Sequence, residues 1–550
     1  MLPILKYIFK FIGKNNSYSF LKYLLAFLFL SIYAFVNNIN FFVLTSILLK
    51  TKINWIQIYF KKNDTDLLKI ICYTLLINSI IYELAYYYFQ QKYIIFKEEL
   101  RNKLASKYFE KILQLELTTY FKKNPNDYVR VCYNSSQDIV YLIHLFKESI
   151  VTVLTIALSF IAIFIANKYV ALLLCFSLIL ILLFKYRRKK RKELIDLGFN
   201  YDNNIKKYVN FIDDIFNIYK EIRIFRRQLD VLKISKHHMK NIGEAKFILD
   251  KHLLLSNSYL QSIFLICLII IILLFANFHV DIIEFAPIFL LVFISIQKII
   301  PGVHVLYLLL SHLSVSNYLI REGNELFLDF KRVNPETISV ASFDEISIKD
   351  AKFSYDQTLV IANLTCKIHS NSITTIIGES GKGKTTFVEI LAGLKSFNSG
   401  KLNIDGQSLN SFSQISSIIS FVPQKVHLIN DSIKNNVTLF DDSFSDLEIW
   451  NALEIVNLKF LFDKSPLKLN TILQKGGTNL SVGQAHRVGI ARALLFKSKL
   501  LILDEFSAAL DDENKFQIFD ILQRIKKSMA IVITSHDSDI IELVDHKIIL

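Results

Sequence analysis

At 550 residues the chain has room for two or three domains, each with its own core. Hydrophobic residues make up 52% of it, including 45 Phe, which argues for a membrane protein. The net charge of +15 comes with no nucleic-acid recognition module, so it points to anionic lipid head groups. The five cysteines (Cys72, Cys132, Cys175, Cys267, Cys366) are scattered without C-x-x-C spacing, which leaves no redox or metal role for them.

Met1 to Asn16 sets Lys6, Lys10 and Lys14 among apolar residues and reads as an interfacial helix. It has no small-residue cleavage site after a short apolar core, so a removable signal peptide is not expected. Six membrane spans are predicted, at about 23–49, 70–89, 150–166, 169–184, 253–278 and 285–305. The run from Ile150 to Phe184 exceeds one span, so Asn167-Lys168 is expected to form a tight turn between two helices. Two polar intervals of helical composition, Gln90 to Glu148 and Lys185 to Lys251, extend beyond the bilayer.

Lys185 to Lys192 carries seven basic residues at the end of the fourth span, which marks that end as cytoplasmic. The loop 277–284 has acids and no Lys or Arg, as an outside loop should. Lys50, Lys52, Lys61 and Lys62 run against this orientation and weigh less than it; six spans then place both termini on the cytoplasmic side. Glu83 and Lys298 are ionisable residues inside spans. Each either lines a cavity or sits at the interface, and for Glu83 the interface is favoured.

After a linker near Asn334-Pro335, strands alternate with helices. Ten of the fifteen glycines fall between Gly378 and Gly489. Gly378-Glu379-Ser380-Gly381-Lys382-Gly383-Lys384-Thr385 fits the phosphate-loop pattern G-x-x-x-x-G-K-S/T between an apolar strand, Ile373 to Ile377, and a helix, Thr386 to Leu394. Glycines let the loop wrap its N–H groups around phosphate oxygens, Lys384 reaches the β- and γ-phosphates, and the Thr385 hydroxyl is placed for Mg²⁺. Thr386 completes the loop's nucleotide-binding set. A second acidic motif, Leu500 to Glu505, closes an apolar strand. The chain is expected to bind ATP.

Further motifs follow in a fixed order, and with the six spans the chain resembles an ATP-binding cassette (ABC) exporter half-transporter, closest to the lipid-linked oligosaccharide and lipid flippases, over essentially its whole length. The fold implied is a multidomain membrane protein: an all-α six-helix transmembrane exporter domain (1–333) followed by an α/β P-loop nucleotide-binding domain (334–550), short at its end. Tyr355 matches the aromatic residue that stacks on adenine. Gln424 matches the glutamine that touches Mg²⁺ and relays nucleotide state. Leu480-Ser481-Val482-Gly483-Gln484 is similar to the signature L-S-G-G-Q, whose Ser481, Gly483 and Gln484 would cap a phosphate held by the other subunit. Val482 replaces a glycine, so that position must be extended or helical.

Asp504 would organise the Mg²⁺ shell and Glu505 would polarise the attacking water. Ser507 to Asp511 matches the loop that couples two nucleotide sites, and His536 matches the γ-phosphate histidine. Before the signature, Gln474 and Lys475 stand where exporters usually carry an acid. The cofactors implied are ATP and Mg²⁺.

Such a chain works as a dimer, homodimer first and heterodimer as the alternative, as an ATPase coupled to movement of an amphipathic substrate across the inner (cytoplasmic) membrane. Lys220 to Phe225 is similar to a short stretch of lipid-linked oligosaccharide and lipid A-type flippases, and Lys298-Ile299-Ile300-Pro301 to a segment of the former, so a glycolipid or lipid-linked oligosaccharide is the expected cargo. A peptide or drug exporter is the alternative, and an ATP-gated regulator without transport the third reading.

Overall fold

The protein is described from a computed structural model covering residues 14–48, 65–115, 120, 124–172, 188–277, 287–306, 308–309, 312, 338, 340–355, 358–379, 381–474, 480–505, 507 and 512–550. Most of the expected interfacial helix, Lys50, Lys52, Lys61, Lys62, Lys185, Arg187, most of the fourth span, nearly all of the loop 277–284, the Asn334-Pro335 linker, Ser380, Lys475 and Asp511 lie outside these residues. The chain divides into two compact units, the second beginning at Arg332.

The first unit is helical. Helices α1 (Lys14–Leu48) and α2 (Thr65–Leu113) precede a short α3 (Pro125–Arg130), which passes through a π-helical turn into α4 (Ser136–Ala166). Asn167 then breaks the helix with extended backbone. Its side chain caps the next turn, accepting from the N–H groups of Tyr169 (3.0 Å) and Val170 (3.2 Å). Helices α5 (Arg188–Asn217), α6 (Tyr219–Ile224), α7 (Gln228–Asn277) and α8 (Pro287–Leu306) follow.

Among the described residues four segments are long and apolar enough to cross a membrane: 16–45, 69–113, 125–166 and 287–306. The helices overrun the expected spans because their polar extensions stay helical; α2 alone is 49 residues long.

Aromatic rings join α1 to α2. Phe27 meets Tyr86 and Tyr93 edge-on at 5.9 and 6.1 Å, and Tyr33 stacks on Tyr82 at 6.5 Å. Lys147 of α4 is buried in this cluster, 3.7 Å from the Phe27 ring centre and 2.6 Å from Glu148. By contrast Leu21, Leu25 and Phe29 of α1 and Ile70, Leu76 and Leu84 of α2 are exposed. Glu83 and Lys298 are exposed as well.

The second unit is α/β. Strands β1 (Glu345–Tyr355), β2 (Thr358–His369), β4 (Ser399–Ile404) and β5 (Gln407–Leu409) form an antiparallel sheet in the order β2-β1-β4-β5. Strands β3 (Ile373–Ile377), β6 (Ile419–Val422), β7 (Leu500–Leu503), β8 (Ala530–Thr534) and β9 (His546–Ile549) form a parallel sheet in the order β6-β7-β8-β3-β9. Its strands β7 and β8 are buried throughout and, Thr534 apart, apolar because both faces are covered.

One face packs with the antiparallel sheet and α9 (Lys384–Leu391) around Ile346, Ile376, Phe387 and Val532. The other face meets α10 (Ile433–Thr438), α11 (Asp446–Ile455), α13 (Val482–Leu495) and α14 (Asp512–Ile525) around Val422, Leu453, Ile490 and Leu501, with the short α12 (Lys459–Asp463) beside them. Helix α9 starts and ends earlier than the sequence predicts: Gly383 turns into it with φ +89° and Gly393 ends it with φ +74°. A last short helix, α15 (Ser538–Glu542), separates β8 from β9.

Candidate functional site

Functional side chains of a doubly covered parallel sheet collect at the carboxyl ends of its strands, where loops escape the packed layers. Here β3 opens into the glycine loop, β6 into Gln424, β7 into Asp504 and Glu505, and β8 into His536. Those four strands are neighbours in the sheet. At about 4.8 Å per strand their ends span about 14 Å, the scale of a nucleoside triphosphate.

In the loop, Gly381 and Gly383 have φ of +84° and +89°, which a side chain resists. A Cβ at Gly383 would also stand 2.7 Å from Val360 Cγ1. Lys384 is buried at the first turn of α9 and donates to the carbonyls of Gly378 (2.8 Å) and Glu379 (3.1 Å). Glu379, Lys382 and Thr385 face solvent, and Thr386 is buried. The Tyr355 hydroxyl lies 3.4 Å from Thr386 Oγ1, which brings the expected adenine platform to the same helix end. Lys395 bonds the Tyr355 hydroxyl, sits 4.6 Å from that ring's centre and reaches Glu389 at 2.5 Å.

Asp504 is 6% exposed and accepts from Thr534 Oγ1 at 2.8 Å. Burial holds its carboxyl above the usual carboxylate range, and the Thr534 hydrogen bond pulls it back; the charge of Glu505 raises it further and Lys384 lowers it. Thr534 Oγ1 also accepts from the Glu505 N–H at 2.6 Å. That second contact steadies an unusual residue: Glu505 has φ +46°, a left-handed conformation costly for a side chain with a Cβ. Gln424 Nε2 donates to Glu505 Oε2 at 2.7 Å. The structure thus brings together Gln424, Asp504 and Glu505, three residues named from sequence, and adds Thr534, which was not. A polar residue ending an otherwise apolar buried strand was the available signal for it.

Ser481 caps α13, accepting from the Gln484 N–H at 3.2 Å while Gln484 Oε1 accepts from the Ser481 N–H at 3.0 Å. Val482 is the first helical residue, so the conformation needed for a β-branched side chain is the one present. Gly483 is buried behind it, and Ser481 and Val482 are exposed. His536 is exposed, between Ser535, which lies 3.2 Å from Ser507 Oγ, and Asp537, which caps α15.

Residues 361–508 match the family described as ABC transporter, so the second unit carries an ABC transporter ATP-binding domain. The chain is 32% identical over 209 residues (38% of its length) to an ATP-dependent lipid A-core flippase of Syntrophus aciditrophicus. To the protein of that name from Haemophilus influenzae it is 31% identical over 211 residues, again 38% of its length. The chain spans only 35% and 36% of those relatives' own lengths. Over 98% of the chain its fold is that of a bacterial Atm1-family ABC exporter solved with ATP bound, with a TM-score of 0.77, 15% identity and 93% of that protein covered.

Proposed function

We propose that two copies of this chain form an ATP-driven exporter that moves an amphipathic molecule, a glycolipid or lipid-linked oligosaccharide, across the cytoplasmic membrane. The observation that supports this best is the row of adjacent strand ends bearing the phosphate loop, Gln424, Asp504–Glu505 and His536, in a chain that also carries apolar membrane-length helices. The exposed apolar residues of α1 and α2 suit a lipid surround, with both termini and the ATP site on the cytoplasmic side. The flippase relatives favour lipid cargo over a peptide or drug.

Turnover rests on positioning and charge. Lys384 exchanges the carbonyls of Gly378 and Glu379 for β- and γ-phosphate oxygens, while the adenine stacks on Tyr355. Glu505, released by Gln424, takes a proton from the attacking water, and His536 holds the γ-phosphate. Ser481, Gly483 and the N–H groups at the start of α13 grip the phosphate bound by the second copy. The Thr385 hydroxyl, Asp504 and the Gln424 amide oxygen would hold Mg²⁺, which neutralises phosphate charge when bound. These hard oxygen donors fit it, and a divalent cation favours the ionised Asp504 that burial opposes.

The test is ATPase activity in vesicles with and without added glycolipid. Glu505→Gln should keep ATP binding and lower hydrolysis about 10²- to 10⁴-fold. Wild-type turnover in that variant would remove Glu505 as the base. Stimulation by peptides alone would overturn the lipid cargo.

A further inference from the structure

Lys515, on the first turn of α14, serves neither ATP nor Mg²⁺ in the scheme above, yet its side chain is only 10% exposed. Burying an ammonium is costly unless carboxylates meet it, and two do. Its Nζ lies 2.8 Å from Asp512 Oδ1 and in closer contact with Asp537 Oδ2. Asp512 is the first residue of the same helix and is largely exposed. Asp537 belongs to another segment altogether. It follows His536 directly and caps α15 by accepting from the Asp539 N–H at 3.1 Å.

His536 is therefore tied down on both sides. On one side the Ser535 hydroxyl, buried, lies 3.2 Å from Ser507 Oγ and accepts from the Asp537 N–H at 3.1 Å. On the other, Asp537 is anchored through Lys515 to the start of α14. Between Thr534, which is fixed against Asp504 and Glu505, and Asp537, the histidine backbone has little room to shift.

We infer that Lys515 is a positioning residue for hydrolysis: through Asp537 it sets where His536 stands, and it links that position to Asp512 at the start of α14. The inference rests on the reading that His536 acts on the γ-phosphate. Neither lysine nor aspartate touches the nucleotide. Their effect falls on turnover and leaves binding alone, because the phosphate loop and Tyr355 are held by separate contacts. The attachment is ionic, so an arginine at position 515 preserves it.

The experiment uses the full chain in lipid vesicles, with ATP turnover and nucleotide affinity measured separately. Lys515→Met should lower kcat about tenfold or more and leave the KM for ATP within about twofold, since small misplacements of a catalytic group act on the chemical step. Lys515→Arg, which keeps the charge, should retain at least half of the wild-type kcat. Unchanged kcat in Lys515→Met overturns the inference, as does a Lys515→Arg variant no better than Lys515→Met. If Lys515→Met fails to fold, Lys515→Gln takes its place in the same comparison. His536→Ala separates the two readings: if it turns over normally, the assignment of His536 has failed, whereas its loss beside a silent Lys515→Met rejects only the positioning role.

Discussion

Replacing Thr534 by valine keeps the shape of the side chain and removes one hydroxyl that makes two bonds, to Asp504 Oδ1 at 2.8 Å and from the Glu505 N–H at 2.6 Å. The orphaned N–H costs about 1–3 kcal/mol, and the lost bond to a charged acceptor about 1.5–3 kcal/mol. These losses share one atom and do not simply add; about 3 kcal/mol at neutral pH is the expected sum. Glu505 also loses the contact that steadies its left-handed backbone, so turnover should fall about 10²-fold. The sign of the pH dependence follows from Asp504. Its folded carboxyl titrates above the ordinary range, so stability declines as pH rises through the ordinary carboxylate range and on through the raised value. Removing the Thr534 donor raises it further. The part of the valine penalty that comes from the lost bond to the carboxylate should therefore be small in acid, where Asp504 is protonated in both states, and complete above the raised value, while the orphaned Glu505 N–H costs the same throughout. Thermal melting across pH and steady-state ATPase measure both effects, with Thr534→Ser as the control that keeps the hydroxyl. Wild-type melting and turnover in Thr534→Val, or equal losses in the serine variant, would refute the argument.

Two further outcomes follow from side-chain geometry. Lys395→Ala removes the cation that braces the Tyr355 ring and should raise the KM for ATP about three- to tenfold with kcat unchanged, in the range of a lost cation–π contact; ATP titrations of ATPase rate will show it. Gly489 lets α13 lie against β6, since a Cβ there would stand 2.9 Å from Val422 Cγ1. Gly489→Val should cost about 1–3 kcal/mol by overpacking, read as a lowered melting temperature, and weaken turnover by shifting the helix away from the strand that leads to Gln424.

The phosphate loop, Asp504, Glu505 and His536 were legible because each follows an apolar strand, and a strand-then-loop pattern survives in one dimension. Val482 was legible too: its branched side chain restricts the backbone wherever it sits, and the first turn of α13 meets that restriction. Thr534, Lys395 and Lys515 were not. Thr534 meets Asp504, Lys515 meets Asp537 and Lys395 meets Tyr355 across 22 to 40 positions, and no spacing rule links them. Lys147 fails differently. It closes a stretch that reads as polar, yet rings from α1 and α2 cover it, and that burial exists only once three helices have packed. The apolar runs marked helices in the first unit, but hydropathy cannot see where a helix continues past the bilayer, as α2 does to Leu113.

The twisted backbone of Glu505 sets durability against speed. Glycine or asparagine would rest there more comfortably, so a chain bred only to survive heating would be expected to discard this carboxylate. A working copy is thus a slightly tensed one, and its most heat-resistant sibling would be idle.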